Sequence, residues 1–295
     1  MPFAPTYAVP AERRAYTELS RVENENGRIG ILMLHGFLGS PLSSHPMANY
    51  LAERGITVHC PLLPGHGHYP DKLHKTSRQA WLDAAQEAFE TAQNLSDELF
   101  LMGHSMGAVL AANLCWQNPE VCGLIMLAPL YDVPDERLNW MKWVRFVMPW
   151  FYPHKLGSMR KLVRERVLDF DPTIDFDDPA FQRSELPKMS RLPTDALVEM
   201  VKMAEQGRTL WPQLKTPLVI FRGGHDPVVK PGTIDKLYDV LPGPHKQLKT
   251  FAEAGHEPMR PFDPAHKELW PMTLQFIRTY SEVGLPTKDT FANNF

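Results

Sequence analysis

Gly103-His104-Ser105-Met106-Gly107 stands between two apolar runs, Leu99-Phe100-Leu101-Met102 before it and residues 106–116 after it. The first run has the length of a buried strand and the second that of a helix. A Gly-x-Ser-x-Gly at such a junction reads as a nucleophile elbow, a turn so tight that Cβ atoms two residues either side of the serine would collide. Gly103 and Gly107 meet that demand. Ser105 is therefore expected in a strained backbone conformation, with its Oγ at the head of the sheet. Met106 is expected to open a helix whose amide end favours negative charge. The plainer alternative is an ordinary strand-to-helix turn capped by Ser105.

Working outward, the runs 29–34, 56–60 and 121–128 read as further strands, apolar throughout as in a sheet covered on both faces. Helical stretches at 46–53 and 77–93 separate them, the second with Ser77 as its N-cap. Such alternation predicts an α/β fold with a mostly parallel sheet flanked by helices. The rhythm breaks at 131–215, where no buried strand is visible, and this reads as a helical insertion. Strand 217–221, helix 232–240, strand 247–251 and helix 264–281 then resume it. Residues 1–130 and 216–281 are thus the two parts of one core, 131–215 a cap between strands 6 and 7, and 282–295 a loosely held tail. The lead-in, residues 1–26, is read as extended with an edge hairpin.

Bulk properties exclude several classes of function. The 31 basic and 34 acidic residues leave a net charge of −3, with no basic run for a polyanion such as nucleic acid. Hydrophobic content of 43% and charged content of 22% describe an ordinary globular chain. Cys60, Cys115 and Cys122 are too few and too odd in number for a disulfide framework, so buried free thiols and a reducing cytoplasm are expected. The first ten residues lack the basic start and apolar core of a secretory signal. No apolar run reaches the length of a transmembrane helix, so no stable membrane insertion is expected.

A serine hydroxyl at neutral pH needs a base, and the base needs an acid to fix its tautomer. Both are sought after late strands, at the carboxyl edge where open α/β sheets place their sites. Asp226 follows strand 217–221 and is the leading acid, with Asp132, after strand 121–128, as the alternative. His256 follows strand 247–251 and is the base. The chain order Ser105, Asp226, His256 is the one this arrangement imposes. His225 reads as a loop residue. His66, His68 and His74 invite a metal reading, but no cysteine or carboxylate stands at ligand spacing. No cofactor or metal is expected.

Taken in order, His35-Gly36-Phe37-Leu38-Gly39-Ser40, Leu63-Pro64-Gly65-His66-Gly67, the Ser105 pentapeptide and the stretch 217–258 resemble bacterial carboxylesterases and monoacylglycerol lipase-like members of the α/β-hydrolase family. The resemblance implies an oxyanion hole formed by the Phe37 and Met106 amides. It also implies a serine hydrolase that cleaves small carboxylic esters, monoacylglycerols among them, through an acyl-enzyme. The same triad serves amides, urethanes, thioesters, C–C bonds and acyl transfer, and fold does not choose among them. A binding protein that has lost its chemistry is disfavoured, since no triad member is missing. Gly36, Leu38 and His104 are expected to line the substrate. So are Trp140, Trp143 and Val147, which with Trp150 fall on one face of a helix expected within 139–152. That apolar face could also meet a lipid surface transiently or a second copy of the chain. Residues 194–205 are read as the return helix of the insertion.

Overall fold

The computed structural model of the chain describes residues 3–24, 26–132, 143 and 146–285. Strands β1 (Tyr16–Glu18), β2 (Ile29–Leu34), β3 (Ile56–Cys60), β4 (Glu98–His104) and β5 (Gly123–Leu127) precede the insertion. Helices α1 (His45–Ala52), α2 (Arg78–Asn94) and α3 (Met106–Gln117) alternate with them. Ser77 caps α2 as expected, its Oγ accepting the Ala80 amide at 3.2 Å. The insertion carries a short strand pair, β6 (Trp150–Phe151) and β7 (Leu192–Pro193), and helices α4 (Arg160–Phe170), α5 (Pro179–Ser184), α6 (Leu186–Ser190) and α7 (Thr194–Leu210). Strand β8 (Leu218–Gly223), helix α8 (Thr233–Val240), strand β9 (Lys246–Phe251) and helix α9 (His266–Tyr280) complete the order.

The main sheet has seven strands in the order β1-β3-β2-β4-β5-β8-β9. All neighbours are parallel except the edge pair β1–β3. β4, which leads into Ser105, is the central strand. The apolar runs alternate between two cores because successive side chains point to opposite faces. Leu32, Leu34, Leu101, Leu124 and Met126 face α2, α3, α7 and α8, with Trp81, Phe89 and Met203. Ile31, Met33, Phe100, Met102 and Ile125 face α1 and α9, with Met47, Leu51, Leu269 and Ile277. Helix α3 is apolar almost all round since it is buried beneath the neighbouring helices, the usual fate of such a helix.

Four expectations change. The lead-in supplies one short edge strand, β1, rather than a hairpin, so the insertion falls between the fifth and sixth strands of the sheet and not the sixth and seventh. The stretch 139–152 is not one helix. Phe146 and Val147 form a turn, and Trp150–Phe151 pairs antiparallel with Leu192–Pro193. Thr194 stabilises that pairing, its amide donating to Pro149 O at 2.9 Å and its hydroxyl to Met148 O at 2.6 Å. The start of the tail is held: the Glu98 carboxylate accepts the amides of Glu282 and Val283 at 2.7 and 3.0 Å. Cys60 and Cys115 are buried free thiols, whereas Cys122 is only half-buried because it lies at the strand's entry.

Phe100 is fully buried, edge-on to Phe276 and against Gly123. Phe100→Ala is expected to lower the unfolding free energy by about 3–5 kcal/mol. Urea melts followed by circular dichroism measure the loss.

Candidate active site

Every strand of the parallel part of the sheet delivers its carboxyl end to one edge, and the candidate residues are collected there. β4 ends at His104, and Ser105 follows with φ 52° and ψ −114°. A non-glycine residue in such a conformation costs on the order of 1–3 kcal/mol and persists only where its surroundings enforce it. Here they do. The Ser105 amide donates to Leu127 O at 2.9 Å, and its carbonyl accepts the amides of Ala108 and Leu130, each at 3.1 Å. A Cβ on Gly103 would strike the backbone of Gly107 and Ala108, and one on Gly107 would strike Leu34 O. The two glycines thus allow α3 to fold back against β4 and β2.

The pairing Leu34↔Gly103 sets the next contact. Continuing one strand past the other brings Gly36 beside Ser105, and a Cβ on Gly36 would come within 3.1 Å of both Ser105 Cβ and His104 O. The Phe37 and Met106 amides flank this junction, and neither donates to a protein acceptor among the described residues. Phe37 is held edge-on to Trp81 at 6.0 Å. Leu38, half-buried, turns the loop with φ 64°.

Asp226 and His256, which follow β8 and β9, are joined directly: His256 Nδ1 donates to Asp226 Oδ2 at 2.8 Å. Both side chains are nearly buried, at 5% and 11% exposure. The other Asp226 oxygen accepts the Val228 and Val229 amides at 2.7 and 2.9 Å. Burial pushes the Asp226 pKa up, but the His256 hydrogen bond and charge and these two amides outweigh it and hold the carboxyl below its ordinary value. With Nδ1 occupied, Nε2 is the nitrogen left for proton transfer. No hydrogen bond joins Nε2 to Ser105 Oγ among the described residues; catalytic hydrogen bonds of unliganded enzymes are often long and tighten with substrate. Asp132 stands elsewhere, paired with Arg208 at 3.3 Å. His225 is exposed beside Glu253.

Three buried histidines hold the loops together, among them His104, the one expected to line the substrate. His35 Nδ1 donates to Gly36 O at 3.0 Å, and its Nε2 accepts the Leu63 amide at 3.1 Å. His104 Nε2 donates to the carbonyl of His256 at 2.8 Å, which ties the turn at Ser105 to the turn at His256. His66 Nδ1 donates to Pro64 O at 2.9 Å, with its ring against His35, Phe37 and Trp81. Burial is the main force lowering their pKa values, to about 4 for His35, about 3 for His66 and about 4 for His104. They are neutral bracing groups. His66, His68 and His74 diverge, His68 stacking on Tyr69 and His74 pairing with Asp195, and no metal-binding group of three is found among the described residues. Trp140 lies outside the described residues. Trp143 and Val147 are 71% and 88% exposed.

Comparison with known proteins bears on the family and the fold. The family described as serine aminopeptidase, S33 (Hydrolase_4) matches residues 26–264. A thermostable monoacylglycerol lipase from Bacillus sp. strain H-257 is 25% identical over 232 residues, 79% of this chain and 84% of that protein. A carboxylesterase from Bacillus subtilis strain 168 is 23% identical over 234 residues, 79% of this chain and 86% of that protein. Among solved structures, one reported for LipS and LipT, two metagenome-derived lipolytic enzymes, superposes with a TM-score of 0.73 at 22% identity, covering 92% of this chain and all (100%) of that one. A monoacylglycerol lipase from Paleococcus ferrophilus gives 0.66 at 17%, covering 91% and 100%. These structures share the α/β-hydrolase fold with this chain.

Each buried histidine is neutral in the folded state at a pH where the unfolded chain protonates near 6.5. The unfolded state then binds more protons, so stability is complete above that value and is lost as the pH falls toward the folded pKa values of about 4, 3 and 4. Between pH 6.5 and 4 the unfolding free energy should drop by up to about 1.4 kcal/mol per pH unit for each histidine. Urea melts at a series of pH values check it.

Proposed function

The chain belongs to the serine aminopeptidase S33 family of serine hydrolases, and we propose that it cleaves carboxylic esters with Ser105 as nucleophile, His256 as base and Asp226 as the acid that orients it. The observation that carries this reading is the buried 2.8 Å bond between His256 and Asp226, at the same sheet edge as the strained turn at Ser105. His256 Nε2 takes the Ser105 proton as Oγ attacks the ester carbonyl. The Phe37 and Met106 amides receive the developing oxyanion, at the start of α3, where the helix amides favour negative charge. The alcohol departs with the proton from His256, leaving an acyl-enzyme. Water, deprotonated by His256, then attacks the acyl group and frees Ser105. Asp226 stays ionised throughout and stabilises the imidazolium.

Residues 131–215 act as the cap over this edge, and substrate contacts are assigned to Gly36, Leu38 and His104 from the core and to Trp140, Trp143 and Val147 from the cap. Short and medium acyl esters, monoacylglycerols included, are the substrate class that an apolar cap favours. The names of the Bacillus relatives support it. Free thiols at Cys60, Cys115 and Cys122 fit a reducing cytoplasm. No helix among the described residues is long and apolar enough to cross a membrane.

Ser105→Ala should lower kcat on p-nitrophenyl esters by about 10⁶-fold, and Asp226→Asn by about 10⁴-fold, with the far-UV circular dichroism of both unchanged. A fluorophosphonate probe should label the wild-type serine and not the alanine variant. Full turnover by the alanine variant would refute the assignment.

A further inference from the structure

The turn that carries His256 is gripped from three directions. Before it, the Gly255 amide donates to Asp263 Oδ2 at 2.9 Å, and Asp263 also accepts the Ala265 amide just ahead of α9. At its own carbonyl, His256 accepts the His104 Nε2–H. After it comes Glu257, a carboxylate only 13% exposed, met by one arginine from α4 and one from its own turn. Arg166, on helix α4 of the cap, reaches Glu257 Oε1 at 3.2 Å. Arg260 reaches Oε2 at 3.1 Å and extends to Asp169 on α4 at 2.5 Å. Asp169 in turn meets Arg13 of the lead-in, whose guanidinium donates to its carbonyl at 2.6 Å and stacks over Phe170.

This lattice uses Arg166 and Asp169, three residues apart on one face of α4. A purely adhesive contact between cap and core would not need to end on the residue next to the catalytic base. We propose that Arg166 is a positioning residue: from the cap, through Glu257, it holds the His256 turn in register with Ser105. The proposal rests on the reading of His256 as the base. Its physical basis is the cost of a buried charge without a partner. Burial raises the Glu257 pKa, but its positive surroundings, Arg166 foremost, overcome that and hold it down at about 2, so Glu257 stays anionic and must keep its cations close. If Arg166 is withdrawn, Glu257 has to move or take up water, and His256 moves with it. Displacements of about 1 Å at a reacting group cost up to about a hundredfold in rate.

The test separates positioning from substrate binding by acyl length. p-Nitrophenyl acetate and octanoate are compared on wild type, Arg166→Met, Arg166→Lys, Glu257→Gln and the Arg166→Met/Glu257→Gln double variant. Arg166→Met is expected to lower kcat on both esters by about ten- to a hundredfold, with KM changed less than about twofold and with fluorophosphonate labelling slowed in parallel. Arg166→Lys should restore most of the rate. The double variant, which leaves no unpaired buried charge and so remains foldable if Arg166→Met does not, should be no slower than the slower single variant. Wild-type kcat on acetate in Arg166→Met, or a double variant slower than the slower single variant, overturns the proposal. So does a loss confined to KM or to octanoate, which would make Arg166 a binding residue for the acyl chain. A wild-type enzyme that neither turns over esters nor labels would instead sink the esterase reading itself.

Discussion

The turn at Ser105 depends on two missing side chains. Helix α3 can double back on the central strand because nothing projects from Gly103 or Gly107 into the backbone of its neighbours. That close approach forces Ser105 into a positive φ and presents its hydroxyl at the edge of the sheet. The same approach lets the loop after β2 run beside the serine, so Gly36 and the Phe37 amide arrive without any side chain of their own being spent on it. The strain at this one residue is borne by the sheet, since Leu127, Ala108 and Leu130 all bond to its backbone.

Around that turn, burial sets the electrostatics. His35, His66 and His104 are kept neutral by desolvation, which makes each a fixed donor with a defined tautomer and not a competing acid or base. His256 differs because Asp226 lies against it and can balance a positive charge. The site therefore separates histidines that brace from the one proposed to exchange protons. The distinction follows from whether the ring bonds to a carboxylate or to a backbone carbonyl. Glu257 shows the converse, a buried carboxylate kept ionised by arginines drawn from α4 and from its own turn.

Much of this was legible in the chain. The strands read from continuous apolar runs appear within one or two residues of their expected bounds, because a strand covered on both faces leaves no polar position to blur it. Asp226 and His256 were readable from their places after late strands, which the parallel topology converts into proximity. The edge hairpin was not there to be found, since a short solvent-facing strand such as β1 carries little pattern. The region 139–152 misled for a related reason. Its tryptophans fall at helical spacing, but Thr194 and the 192–193 strand draw Trp150 and Phe151 into an extended pair. Local periodicity yields when a partner distant in sequence offers backbone hydrogen bonds.

The sequence by itself determined the sheet, its helical flanks and the three residue types of the proposed triad, because strand burial and a glycine-bounded turn are local properties of a chain. The tertiary structure decided which charges meet. His104 finds the carbonyl of His256 across 152 residues, and Arg166 finds Glu257 from a different part of the fold. Ion pairs and side-chain-to-backbone bonds between distant segments have no period and no required spacing. Only the packing of the segments brings those groups within reach.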